Sequence, residues 1–166
     1  MDIIYRDITK ANVDVIVNAA NGIGYMGGML GRFIKLPGVA ESIHYATKGD
    51  VEKEAKEKSR KHKSIPSFFY GHRSGECYVT SAESLSCKWI IHAVTMPYPG
   101  MRTSIRKVRL LIPEIIKTAQ LLKARSIAIP LLGTGTGGLK EEEVLALFDE
   151  EFSRVQGIDI IIFRKV

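Results

Sequence analysis

Val13-Asp14-Val15-Ile16-Val17-Asn18-Ala19-Ala20-Asn21 is the stretch from which the fold can be read. Four of its first five residues are valine or isoleucine. A run so rich in β-branched residues, with hardly any polar alternation, suits a strand covered on both faces, as in a parallel sheet. A glycine-rich turn follows, Gly22-Ile23-Gly24-Tyr25-Met26-Gly27-Gly28. The same layout returns late in the chain. Ser126-Ile127-Ala128-Ile129 reads as a second buried strand, and Pro130-Leu131-Leu132 leads from it into Gly133-Thr134-Gly135-Thr136-Gly137-Gly138.

Outward from these two points, strand and helix patterns alternate. Asp2–Tyr5 reads as a short opening strand. Leu30–Lys35 has the makings of a helix that Pro37-Gly38 interrupts. Val39–Thr47 resumes a helical spacing, with Val39, Ile43 and Ala46 on one face. Asp50–Lys63 mixes charges of both signs at short helical spacings, the mark of a solvated helix. Ser64–Ser74, with Pro66, Gly71 and the aromatics Phe68-Phe69-Tyr70, reads as a long loop. Cys77–Thr80 and Trp89–Val94 predict two strands.

Ile105–Lys123 is a long amphipathic helix in which Pro113 either introduces a kink or marks the true first turn. Lys140–Val155 is a helix that begins on three glutamates, favourable at the positive end of its dipole. Ile158–Phe163 closes the chain as a buried strand. The order predicts a single α/β domain over residues 1–166, with a mixed central sheet between two helix layers. Ligand loops then belong at the carboxyl ends of the parallel strands.

Composition bounds the function. The 166 residues are 45% hydrophobic and 25% charged, which are globular values. A chain of this length buries roughly two-thirds of its unfolded surface and needs no disulfide or metal to hold a core. Cys77 and Cys87 form no CxxC pair, and with four scattered histidines they predict no metal site and a reducing compartment. The longest apolar runs are too short to span a bilayer, and the first residues lack a signal-peptide layout. These features predict a cytoplasmic protein without membrane contact, cofactor or metal, and a monomer. The net charge of +6 favours anionic partners, among them phosphates, nucleotides and nucleic acid, and serves solubility equally well.

The chemistry sits in the two glycine loops. Glycine lets the backbone turn with positive φ and approach a ligand closely, and successive amides in such a turn cradle an anion. Two loops of this kind after two core strands could hold a diphosphate between them. The second loop lacks the Gly-Lys-Ser/Thr ending of a nucleoside-triphosphatase, and neither has the spacing of a dinucleotide fold. Asn18 and Asn21 either cap a turn or aim a carboxamide at ligand hydroxyls. His92 reads as a core histidine, and neither cysteine as a nucleophile.

Three ordered motifs resemble those of the macro domains. Asp7-Ile8-Thr9 followed by Val13–Asn21 is similar to that family's opening, G-D-I-T and then V-D-x-I-V-N-A-A-N. Gly75-Glu76-Cys77, Thr80 and Lys88-Trp89-Ile90-Ile91-His92 are similar to its middle. Ser126–Pro130 with Gly133-Thr134-Gly135 is similar to S-I-A-F-P-x-x-G-T-G. The resemblance implies a three-layer α/β/α macro-domain fold that binds ADP-ribose or an ADP-ribosylated protein. It implies that Asp7, Ile8 and Phe163 receive the adenine and that Asn21 meets the distal ribose. Gly27, Gly28, Met29, Leu30 and Gly31 would form one side of the diphosphate clasp, and Gly133, Thr134, Gly135, Thr136 and Gly137 the other.

The departures from the family pattern concern turnover. Counted without gaps, Gly31 stands where many hydrolytic members carry an aspartate, and a glycine supplies no general base. Gly137 stands where an aromatic often packs by the ribose, and Arg6 replaces the glycine before Asp7. Asn21 is then the catalytic candidate, orienting a water that the ligand's own phosphate holds. The alternatives to a binding module are a hydrolase that removes ADP-ribose from proteins or processes O-acetyl-ADP-ribose or ADP-ribose 1″-phosphate, and a basic nucleic-acid-binding protein. Phe68-Phe69-Tyr70 beside Arg73 is the nearest approach to a base-stacking surface, and loop packing explains it as well.

Overall fold

The computed structural model describes residues 2–62 and 64–164. Strand β1 (Asp2–Tyr5) leads through a 3₁₀ turn (Ile8–Lys10) to β2 (Val15–Asn21). Four helices follow: α1 (Gly28–Gly31), α2 (Val39–Ala46), α3 (Asp50–Lys58) and α4 (Ser67–Tyr70). Then come β3 (Cys77–Ser81), β4 (Trp89–Met96), α5 (Ile105–Leu121), β5 (Ser126–Pro130), α6 (Glu141–Phe152) and β6 (Asp159–Arg164). The sheet order is β1-β6-β5-β2-β4-β3. Every pairing is parallel except β3 with β4. This is the predicted mixed sheet.

The alternation of side chains along each strand builds two cores. Val15, Val17, Ile91, Ile127 and Ile129 point to one face and pack against α5 and α6. Ile16, Ile90, Val94, Ala128 and Phe163 point to the other, under Ile43 of α2 and Val51 and Ala55 of α3. The central strands are therefore buried on both sides, which is why their sequences read as unbroken apolar runs. The result is the expected three-layer α/β/α arrangement.

Local chemistry moves several boundaries. β2 starts at Val15 because Asp14 is occupied in stitching strand ends together. Its carboxylate accepts from the Arg125 amide at 2.8 Å and pairs with Lys88 at 3.0 Å, while its own amide donates to Ser126 Oγ. The hydrogen bonds from Arg125 and Lys88 hold the Asp14 carboxyl below its ordinary range. Pro113 lies in mid-helix rather than in the first turn, since α5 begins at Ile105 behind the Ser104 cap. The proline is exposed, so the carbonyl it leaves without a partner is open to water. α3 ends at Lys58, and Lys63, to which the predicted helix ran, lies outside the described residues. The stretch read as loop over 64–74 contains the single turn α4. Among the described residues no helix is long and apolar enough to cross a membrane.

Candidate functional site

The carboxyl ends of β2, β5 and β6 open into a cleft of about 360 Å³, within the range of small-molecule sites. One wall is the loop after β5. Gly133 and Gly138 take φ of 81° and 76°, and the loop closes on itself through Gly138 N to Gly135 O and Leu139 N to Gly133 O, each 3.0 Å. Thr103 pins it from outside by donating to Gly137 O at 3.1 Å. Among the described residues, the amides of Gly135, Thr136 and Gly137 donate to no protein acceptor. The sequence reading of Gly133–Gly137 as a cleft loop thus corresponds to where the chain puts them.

The opposite wall is not the segment expected from the sequence. Pro37, Gly38, Val39, Ala40 and Glu41 line it, at the start of α2. The first amides of a helix have no intrahelical acceptor, so the α2 terminus offers donors where Gly27–Gly31 had been expected to. Gly27, Gly28, Met29, Leu30 and Gly31 do not line this cleft. Gly28 is already held at both polar groups: its amide donates to Glu52 Oε2 at 3.1 Å, and its carbonyl accepts from His44 Nε2 at 2.7 Å. A Cβ at Gly31 would meet His44 Cδ2 at 2.8 Å. Gly31 therefore packs on His44. In the sequence, the proline-glycine pair directly before helical spacing marks the segment that lines the cleft here.

Asn21 is on the cleft wall, 7% exposed, but its carboxamide is engaged locally. Its oxygen accepts from the Ile23 and Tyr25 amides, and its nitrogen donates to Tyr25 O at 2.7 Å. It holds the 22–25 turn and puts Tyr25 on the cleft, with Lys56 5.7 Å above the tyrosine ring. Asn18 is not in the cleft; it bonds His92 in the core.

A smaller pocket of about 140 Å³ adjoins the cleft and shares Gly38, Val39 and Phe163 with it. Asp7 and Ile8 line it, so the three residues expected around an adenine do come together. Asp7 Oδ1 caps the 3₁₀ turn by accepting from the Thr9 amide and hydroxyl at 3.0 and 2.9 Å, and Oδ2 meets Lys35 Nζ. Burial pushes the Asp7 carboxyl up, but the bonds from Lys35 and Thr9 outweigh it and hold the group below its ordinary value. At the mouth of the cleft Arg164 pairs with Glu141. Lys35, Glu141 and Arg164 were not singled out by sequence, because nothing in their spacing announces a site.

Two further groups are structural. His92 is fully buried, with Asn18 Nδ2 3.1 Å from Nδ1 and Thr80 Oγ1 2.9 Å from Nε2, and it stacks on Tyr78 at 4.6 Å. Desolvation pushes its pKa down to about 3, so it is neutral at ordinary pH. Burial pushes the thiols of Cys77 and Cys87 up to about 12 and about 11, which leaves them protonated and poor nucleophiles.

Comparison with known proteins agrees with this fold. A sequence profile described as Macro domain matches residues 17–148. An uncharacterized protein of Aquifex aeolicus is 34% identical over 154 residues, spanning 93% of this chain and 81% of its own. The macrodomain of Mycobacterium tuberculosis DarG superposes with a TM-score of 0.77 at 21% identity, over 97% of this chain and 96% of that one. The Oceanobacillus iheyensis macrodomain with ADP gives 0.78 at 24% identity, over 98% and 81%.

Proposed function

This chain belongs to the macro domain family, and from that premise we propose that it binds ADP-ribose, free or attached to a protein, in the cleft at the strand ends. One observation carries the reading. Gly135, Thr136 and Gly137, whose amides donate to no acceptor among the described residues, line the same cleft as the first turn of α2, and that cleft adjoins the pocket of Asp7, Ile8 and Phe163. Backbone donors on both sides suit a diphosphate, since they match its oxygens without a fixed cation. The pocket beyond offers an aromatic face and a carboxylate acceptor, the needs of a base with an amino group. Asn21 and Tyr25 also line the cleft, and the distal ribose would lie against them. The neighbour from Oceanobacillus iheyensis is a complex with ADP, which shares the base, ribose and diphosphate of this ligand.

A hydrolase acting on ADP-ribosylated groups is a second reading, and it is supported by Glu41, a carboxylate on the cleft wall. Release of ADP-ribose from a modified protein, lost in Glu41→Gln with binding retained, is the result that reading requires.

Gly135→Val tests the binding reading. A Cβ at position 135 meets no atom within 4 Å, so the variant folds as the parent does and projects its side chain into open space at the loop. Calorimetric titration with ADP-ribose should show one site in the parent and a loss of at least tenfold in affinity in the variant. A parent that gives no heat with millimolar ADP-ribose would refute the proposal.

A further inference from the structure

The pocket next to the diphosphate cleft contains a charged side chain that the proposed binding mode does not use. Lys35 lies on the connection between α1 and α2 and reaches Asp7, 28 positions away in sequence. Both line the same small pocket, with Phe163 and Ile8. Resting on the ADP-ribose reading, we propose that Lys35 is a specificity-determining residue. Its ammonium and the Asp7 carboxylate form a donor–acceptor pair that reads the amino group of adenine together with a ring nitrogen beside it.

The argument is one of hydrogen-bonding capacity. Asp7 Oδ1 is filled by the amide and hydroxyl of Thr9. Oδ2 is therefore the oxygen left for a ligand, and it is the oxygen that Lys35 meets. A carboxylate oxygen accepts two hydrogen bonds and an ammonium donates three. The pair thus keeps one free acceptor position on Oδ2 and two free protons on Nζ, side by side. An adenine amino group is a donor flanked by a ring acceptor on each side, N1 and N7, and fits that pattern without breaking the ion pair. In the same pose, a purine with a carbonyl at that carbon would turn an acceptor toward Oδ2. The Lys35 side chain is 46% exposed, so it can swing to follow an entering base, and it carries no part of the core.

The test uses calorimetry with ADP, 1-deaza-ADP and 7-deaza-ADP, after the parent protein has been titrated with ADP-ribose itself. In the parent, one of the two deaza analogues should bind about tenfold more weakly than ADP, the loss expected of one charge-assisted hydrogen bond. Lys35→Met should bind ADP about tenfold more weakly and no longer distinguish ADP from that analogue. Lys35→Arg should restore the distinction. A parent that takes up ADP and both analogues equally overturns the assignment, as does a deficit that persists unchanged in Lys35→Met. If the parent binds ADP-ribose and either of these results follows, the assignment of Lys35 alone falls. If it binds neither ADP-ribose nor ADP, the nucleotide reading falls with it.

Discussion

Acidification below neutral pH should destabilise this protein through His92 by a calculable amount. The imidazole is wedged between Asn18 and Thr80 with no exposure, and its pKa in the folded chain is about 3. In the unfolded chain it is about 6.5. Between those values the unfolded state binds a proton that the folded state refuses, so stability rises with pH across the window and falls as the solution is acidified. The slope is about 1.4 kcal/mol per pH unit well inside the window, which integrates to about 2.5 kcal/mol between pH 7 and pH 4.5.

Carboxylates that are favoured in their charged form, such as Asp7 and Asp14, also lose stability in acid, so the parent protein alone cannot isolate the histidine. His92→Gln can. It keeps a polar side chain between Thr80 and Asn18 and retains every carboxylate. Urea unfolding followed by circular dichroism, at several pH values from 7 to 4.5, should show the parent more stable at pH 7 and the gap closing by about 2.5 kcal/mol at pH 4.5. A gap that stays constant within about 0.5 kcal/mol would mean that the folded chain accepts the proton. The reading of His92 as a neutral core residue would then be wrong.

Two other substitutions probe separate parts of the molecule. Glu52→Ala removes a 4%-exposed carboxylate that pairs with His44 at 2.7 Å and Lys56 at 2.6 Å and accepts from Gly28. Breaking such a buried pair costs about 3–5 kcal/mol, a fall of about 6–20 °C in Tm for a domain of this size, and a shift under about 2 °C in a thermal melt would show the cluster to be ornamental. Asp7→Ala should weaken ADP-ribose binding by about 1–3 kcal/mol in calorimetry, and unchanged affinity would remove the carboxylate from the base pocket.

The parts of the fold that sequence made plain are those where one physical demand dominates. β2, β4, β5 and β6 must bury both faces, so their apolar runs are continuous and unmistakable. The long helix α5 must bury one face, and its period shows in Val108, Leu111, Ile112, Ile115 and Ala119, all within the core. The second glycine loop follows β5 directly, and the chain places it on the cleft. The segment from Gly22 to Pro37 was harder. Its glycines meet demands internal to the fold: Gly24 has φ of 74° against the backbone of α3, and Gly28 has φ of 61° between Glu52 and His44. Those needs arise from residues 16 to 31 positions further on (His44 from Gly28, Ala55 from Gly24), and a local reading cannot see them. The same holds for Lys35, whose partner lies in the first turn of the chain.

The hydrogen bonds of Asn21 limit what this residue can do for chemistry. A carboxamide has two acceptor positions and two donor protons. Both acceptor positions meet the amides of Ile23 and Tyr25, and one proton is given to Tyr25 O. What remains is a single N–H on a buried group at the cleft wall. Such a group can donate to a ribose hydroxyl or to a water, and so fix an orientation. It cannot accept a proton from either, because an amide has no basicity to spare near neutral pH and its oxygen is already engaged. The turn that Asn21 holds also carries Tyr25 to the cleft, so under the proposed binding the residue would act on a ligand twice: directly through one proton, and indirectly by placing an aromatic ring. On the proposed binding, loss of the carboxamide would therefore disturb ligand geometry rather than remove a reactive group, and a hydrolytic reading would need its proton acceptor elsewhere on the cleft wall.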